Sequence, residues 1–400
     1  MYCQVLQWLY YMSSFIRKEK SIQRQMINPL IYFDNAATTR IKPDCVYEAY
    51  NFYVREIGVS PGRGAYSLGI EASRMLFQAR RTVANFFGSY DPSNVVFTKN
   101  STEALNLFIK GFLKMGDHVI ISSFEHNAVL RPVHRLKELG IIDYSIVFPE
   151  GLEDVTKLEE YIKPNTRLAI FTLASNLTGQ IVFDSEKADY LKKRNIIVLL
   201  DSSQGAGKID VNLTRDSVDV VAFTGHKDLF AMPGVGGLVF KKRMKLEPLI
   251  QGGTGIYGHY YSNPDIFPES YESGTLNMPS IWSLKAALDF LTEHKHTIKE
   301  KEKKLTDYLI KSLVNIPNIT IYEANKTRVS TLCFNISDIP SNKIVEKLSK
   351  CNICVRGGIH CAILAHNTIG TSETGAVRVS LNYMNSTEEI DYMCDVLKGL

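Results

Sequence analysis

No stretch of this chain is both long and apolar enough to suggest a membrane span. A spanning helix needs about 20 consecutive apolar residues, and the opening MYCQVLQWLYYMSSFI is shorter and runs into the basic cluster Arg17 to Lys20. A secretory leader puts its positive charge ahead of the apolar run and ends on a small-residue cleavage site. The reverse order here argues against export, and residues 1–30 are expected to be a poorly ordered extension or the product of an upstream start codon. Excess charge is missing too. The 46 basic and 42 acidic residues leave +4, spread along the chain rather than gathered in a block, so nucleic acid is not an implied partner. Repeats and low-complexity tracts are absent, which excludes a solenoid or a linker-rich assembly. The seven cysteines are odd in number and unevenly placed. A chain this long needs no disulfide staples, so a reducing cytoplasm fits best.

What remains is a globular composition, 45% hydrophobic and 22% charged over 400 residues. Single cores stop growing at roughly 250 to 300 residues, which predicts two unequal domains. Apolar, β-branched runs recur at NVVFT (94–98), HVIIS (118–122), RLAIFTL (167–173), NIIVLLD (195–201), VDVVAFT (218–224) and GGLVF (236–240). Helical spacing separates most of them, as in STEALNLFIKGFLK and NAVLRPVHRLKELG. Strands apolar on both faces, alternating with amphipathic helices, predict an α/β fold with a mainly parallel, helix-covered sheet. From about Lys285 the texture changes. The long charged helix AALDFLTEHKHTIKEKEKKLTDYLIKSL is followed by mixed short elements, so residues 31–285 read as the large domain, its N-terminal segment contributing to the small one, and 286–400 as a smaller α+β domain.

Open α/β sheets bind ligands at the carboxyl ends of their strands. Those ends carry Asn100-Ser101-Thr102, Glu125-His126, Ala174-Ser175-Asn176, Asp201-Ser202-Ser203-Gln204 and Thr224-Gly225-His226-Lys227. Each group meets a need of one cofactor. A phosphate favours a helix N-terminus rich in hydroxyls, which Asn100-Ser101-Thr102 supplies. An acid at a strand end, Asp201, can keep a pyridinium nitrogen protonated, and His126 can stack on the ring. A lysine whose pKa is lowered in a pocket can condense with an aldehyde, which points to Lys227.

The strings YFDNAATT (32–39), STEALNL (101–107), EHNAVLRP (125–132), ASNLTGQI (174–181), DSSQGAGKIDVN (201–212), TGHK (224–227) and RGGIHCA (356–362) resemble class V aminotransferases of fold type I. Within that group they are most similar to the cysteine desulfurase and selenocysteine lyase branch. The resemblance implies pyridoxal 5'-phosphate as cofactor, with Lys227 as its Schiff-base lysine, His126 stacked on the ring and Asp201 at the pyridine nitrogen. By the same resemblance Gln204 meets the phenolic oxygen and Asn176 sits near that edge. Ser101, Thr102, Thr224 and His226 fall at the phosphate. Thr275, in ESGTLN, matches a threonine that reaches the neighbouring subunit's phosphate, which implies a homodimer.

The cofactor alone does not choose the reaction. Cys361 discriminates. It lies in a glycine-containing turn after a predicted strand (353–355), where a thiol can be exposed and its thiolate favoured by nearby positive charge. The segment resembles the short catalytic loop of desulfurases that pass sulfur to an acceptor protein, with Ile359 standing where many relatives have a first histidine. The implied substrate is L-cysteine. Lys227 would remove its α-proton and Cys361 would attack its sulfur, leaving a persulfide and alanine. Arg378, in GAVRVSLNY, matches the family's carboxylate clamp, with Arg356 a second contact. A zinc site at Cys351, Cys354, His360 and Cys361 lacks a second clean pair, so no metal is expected. Selenocysteine lyase, cysteine sulfinate desulfinase and a non-catalytic scaffold for sulfur-transfer partners remain as alternatives.

Overall fold

The structure is a computed structural model, and it describes residues 30–62 and 64–400. The extension expected over residues 1–30 therefore lies, but for its last residue, outside the described residues. The strands, in chain order, are β1 (Ile31–Tyr32), β2 (Val95–Thr98), β3 (Asp117–Ser122), β4 (Ile142–Val147), β5 (Thr166–Thr172), β6 (Ile197–Asp201), β7 (Val220–Thr224), β8 (Gly236–Phe240), β9 (Ile319–Ile321), β10 (Thr331–Ile336), β11 (Ile353–Cys354), β12 (Arg356–Gly358) and β13 (Ala376–Ser380). The helices that position the site are α1 (Ser101–Phe112), α2 (Asn127–Glu138), α3 (Met278–Val314) and α4 (Ile363–Thr368).

Seven strands form the main sheet in the order β2-β8-β7-β6-β5-β3-β4. All contacts from β4 to β7 are parallel, while β8 runs antiparallel to both β2 and β7. The apolar runs become strands because both faces of the sheet are covered. In β7 and β8 every residue is buried, as expected where helices pack on each side. Sequence pattern missed β4, whose Asp143, Tyr144 and Ser145 are half-buried. It is an edge strand, and an edge needs no continuous apolar run.

Two glycines let β8 approach its neighbours. A Cβ on Gly237 would stand 2.3 Å from the Val96 carbonyl oxygen, and one on Gly236 would stand 2.7 Å from the Asn100 backbone. The second contact seats the start of α1 against the sheet end, so the helix N-terminus opens at the carboxyl ends of the strands.

The long helix starts earlier than its charged stretch suggested, at Met278, behind the cap Asn277. Its later turns join a separate hydrophobic cluster through Leu305, Leu309 and Leu313. That cluster also holds Phe334 and Val377 of the antiparallel sheet β12-β13-β10-β9. The chain's early segment belongs there too, since β1 pairs in parallel with β11, Ile31 opposite Ile353. No described helix is long and apolar enough to cross a membrane.

Candidate active site

The ends of β5, β6 and β7 and the starts of α1 and α2 enclose a cavity of about 220 Å3. Nine residues singled out from the sequence line it: Ser101, Thr102, His126, Asn176, Asp201, Gln204, Thr224, His226 and Lys227. Four do not. Thr275 lines a second cavity, of about 560 Å3, that shares Asn100 and His226 with the first. Arg356, Cys361 and Arg378 stand outside the lining, in and beside the small antiparallel sheet. Asn100, Ser203, Thr172 and Ala128 also line the cavity; Thr172 closes an apolar strand run and Ala128 is apolar, so neither of these two gave a signal in the sequence.

At the start of α1 the Asn100 side chain caps the Glu103 N–H at 3.0 Å, and the Glu103 carboxylate accepts the Lys99 N–H at 2.7 Å. This reciprocal cap fixes the helix start and leaves the first N–H groups beside the cavity, where the helix dipole favours an anion. The Thr224 hydroxyl oxygen is buried with no hydrogen-bond partner among the described residues. An unpaired buried hydroxyl is costly, and a phosphate at the neighbouring helix end would complete it.

Asp201 closes β6 and is 2% exposed. Its Oδ1 accepts three hydrogen bonds, from the Ser101 hydroxyl at 3.3 Å, the Ser203 N–H at 2.9 Å and the Ser203 hydroxyl at 2.5 Å. Oδ2 accepts none among the described residues, which leaves it for a ligand N–H. His126 caps α2 by accepting the Ala128 N–H at Nδ1, 3.0 Å away. Burial, and then the Lys227 charge, lower its pKa to about 4. The neutral ring therefore carries its hydrogen on Nε2 and presents an uncharged face. Gln204 donates to the Ala36 carbonyl at 2.8 Å, which anchors its amide at the wall.

Lys227 is half-buried. Burial lowers its pKa to about 8, with Asp201 opposing the shift and Arg378 adding to it. A useful fraction of the amine is thus uncharged near neutrality, as condensation with an aldehyde requires. The Thr39 hydroxyl donates to the Lys227 carbonyl at 2.8 Å and fixes its backbone.

Arg378 is 1% exposed and already engaged. It donates to Asp34 at 2.6 Å and to the Asn176 carbonyl at 2.9 Å, while its Nε lacks a partner among the described residues. Asp34 and the role of Asn176 as its tether were not foreseen. Cys361 is exposed. Its carbonyl accepts the Asn127 N–H at 2.8 Å, and the preceding carbonyl of His360 accepts from the Asn176 side chain at 2.9 Å. The turn bearing the thiol is thereby tied to two elements that line the cavity. Among the described residues no group of three or more His, Cys, Asp or Glu side chains is arranged to hold a metal ion.

The donor set fits a phosphorylated pyridine aldehyde. It offers a helix end and an unpaired hydroxyl for the phosphate, a one-sided carboxylate for the ring nitrogen, a neutral imidazole for the ring face and a lysine of lowered pKa for the aldehyde. Comparison with known proteins agrees. The family model for aminotransferase class-V matches residues 31–393, and the chain belongs to that family. A protein of Methanothermobacter thermautotrophicus named "Probable cysteine desulfurase" is 32% identical over 92% of this chain and 94% of its own. The "Cysteine desulfurase" of Wigglesworthia glossinidia brevipalpis is 28% identical over 96% of both. Among solved structures, the apo cysteine desulfurase from Thermococcus onnurineus NA1 superposes with a TM-score of 0.83 at 28% identity, covering 94% of this chain and 95% of that one.

Proposed function

We propose that the protein is a pyridoxal-phosphate-dependent cysteine desulfurase that converts L-cysteine to L-alanine and carries the released sulfur as a persulfide on Cys361. The observation that carries this reading is the pairing of one cavity, lined by Lys227, Asp201, His126 and Gln204, with an exposed thiol whose turn is hydrogen-bonded to residues at that cavity. Bound there, the cofactor supplies an electron sink adjacent to the substrate's α-carbon. Lys227 would hold its aldehyde, and its free amine would take the α-proton. Asp201 would keep the ring nitrogen protonated, and His126 would cover the ring. Arg378, held by Asp34 and Asn176, turns its remaining N–H groups toward the substrate carboxylate, with Arg356 beside it.

The Cys361 thiolate attacks the substrate sulfur. The S–S bond forms as the Cβ–S bond breaks, the bonding pair passes to Cβ, which takes up a proton, and return of the proton from Lys227 to Cα completes alanine. An acceptor thiol or protein then takes the outer sulfur and returns Cys361 to the thiol. We further infer a homodimer, in which Thr275 contributes to the partner's phosphate site, and a reducing cytoplasmic setting, since the six described cysteines are all free. We assign 31–285 to a large domain, its first strand contributing to the small one, and 286–400 to a small domain, a reading supported by the cluster that gathers Ile31 and Phe33 with Phe334, Val377 and Leu397.

The test is to incubate the cofactor-loaded protein with L-cysteine, measure alanine and map the persulfide by mass. Persulfide at Cys361, and its loss together with sulfide release in Cys361→Ala, is the expected result. Sulfide release at the wild-type rate in that variant refutes the assignment, and absence of alanine with a bound cofactor refutes the enzyme.

A further inference from the structure

The residue that presents the thiol sits on strained backbone. His360 and Cys361 are consecutive, both carry a Cβ, and both adopt left-handed φ, 54° and 55°. Such conformations persist only where the surroundings over-determine them. The two interdomain hydrogen bonds described above hold the carbonyls of this pair, but neither holds the His360 side chain.

That side chain is held by a buried chain of groups with no place in the reaction as drawn. His360 is 4% exposed and His366, on α4, is wholly buried. His360 Nε2 lies 3.2 Å from the Arg356 carbonyl oxygen, His360 Nδ1 lies 3.4 Å from His366 Nε2, and His366 Nδ1 lies 2.7 Å from the Thr371 hydroxyl. The hydrogens follow from the ends. A backbone carbonyl only accepts, so His360 carries its hydrogen on Nε2 and accepts at Nδ1. His366 must then donate from Nε2, which leaves its Nδ1 to accept from Thr371. Burial lowers the pKa of both rings and keeps them neutral, with the Ile359 backbone a further hydrogen-bonding neighbour of His366.

We propose that His366, acting through His360, is a positioning residue for Cys361: the Thr371–His366–His360–Arg356 chain locks the left-handed turn that aims the thiol at the cavity. The inference rests on Cys361 as the sulfur-accepting nucleophile. A leucine at 366 removes the donor and leaves His360 Nδ1 buried and unpaired, so the turn relaxes toward ordinary backbone. A glutamine can restore the donation, since its side-chain N–H reaches about as far as imidazole Nε2. Thr371→Val removes only the hydroxyl at the far end.

The experiment has two arms on the same three variants. Amide exchange of the peptide covering 357–368, measured on protein without cofactor, reports the turn itself. Single-turnover kinetics on the loaded enzyme separate the cofactor's absorbance change on adding L-cysteine from the later appearance of persulfide. For His366→Leu we expect exchange at Ala362 to rise at least tenfold and persulfide formation to slow at least tenfold, with the early absorbance change and KM within twofold of wild type. His366→Gln should recover both to within threefold, and Thr371→Val should fall between. The proposal is overturned if folded His366→Leu stays within twofold on both arms, or if His366→Gln is as impaired as the leucine, which would make the effect one of packing. Should His366→Leu not fold, Thr371→Val decides alone: wild-type exchange there overturns the proposal. A wrong nucleophile assignment would show differently, as an exchange effect with no persulfide on Cys361 in any variant.

Discussion

Lys208 offers a sharp test of how the two sheets are joined. Its ammonium lies 3.0 Å from Asp228 and 3.2 Å from Glu302, and the three side chains are only 9%, 5% and 5% exposed. Asp228 directly follows Lys227, Glu302 lies on α3, and the Ser330 hydroxyl donates to Glu302 at 2.9 Å. One cation thus serves two buried carboxylates, and burial raises the pKa of Glu302. Lys208→Met keeps the bulk and removes the charge. Breaking a buried pair by deleting one partner costs about 3–5 kcal/mol, because the remaining charge is left uncompensated. At roughly 2–4 °C per kcal/mol for a large domain, the melting midpoint should fall by about 6–20 °C. Glu302→Gln alone leaves a one-to-one pair and should cost less than about 1.5 kcal/mol, in the range of a single neutral hydrogen bond. Adding it to Lys208→Met should recover part of the loss. The assay is thermal and urea unfolding followed by circular dichroism without cofactor, so that ligand linkage does not enter. A midpoint shift under 2 °C for Lys208→Met, or no recovery in the double variant, would refute the reasoning.

Glu125 is fully buried and burial raises its pKa far above the usual carboxylate range; Glu125→Gln should therefore cost less than about 1 kcal/mol, whereas Glu125→Ala, which strips the Ser122 hydroxyl and the Thr172 N–H of their acceptor, should cost about 2–4 kcal/mol in urea titrations. Reconstitution of cofactor-free protein with pyridoxal phosphate should speed up as pH rises toward about 8, the pKa of Lys227, because only the free amine condenses; a rate flat from pH 6 to 9 would contradict it. His118, His126 and His226 all have pKa values lowered to about 4 by burial. Their unfolded forms bind protons from about pH 6.5 downward while the folded forms do not, so stability should decline as pH falls from 6.5 to 4. Denaturation midpoints across that range check the sign.

The strand ends were legible because their chemistry is local. Asp201, Gln204, Thr224, His226 and Lys227 each follow an apolar run within four residues, and a parallel sheet collects such positions on one edge. The resemblance to class V aminotransferases assigned roles that composition could not. What the sequence left hidden depends on partners far along the chain. Arg378 was taken as a free clamp, yet it spends two of its donors on Asp34 and Asn176, 344 and 202 residues away. His366 lies in none of the motifs that carried the resemblance, and only packing brings it to His360. The Lys208 cluster draws on positions 208, 228, 302 and 330, no two of which fall in one motif. β4 escaped because an edge strand need not be apolar throughout.

These hidden contacts share one physical task. The cavity is built almost wholly on the main sheet, but the proposed nucleophile and carboxylate clamp stand on the small antiparallel sheet and its flanks. Chemistry requires reacting atoms held to a fraction of an ångström, and a misplacement of about 1 Å can cost a hundredfold in rate. An interface of apolar contacts alone would let the sheets slide. Asn176 prevents this at the site by receiving Arg378 on its carbonyl and holding His360 with its side chain. Asn127 adds a second tie at Cys361, and Lys208 a third, beside Lys227 and away from the thiol. Three polar ties at separated points fix a relative orientation that one or two could not. The buried charges at Arg378 and Lys208, which weaken a core when considered alone, are therefore explained by alignment rather than by stability.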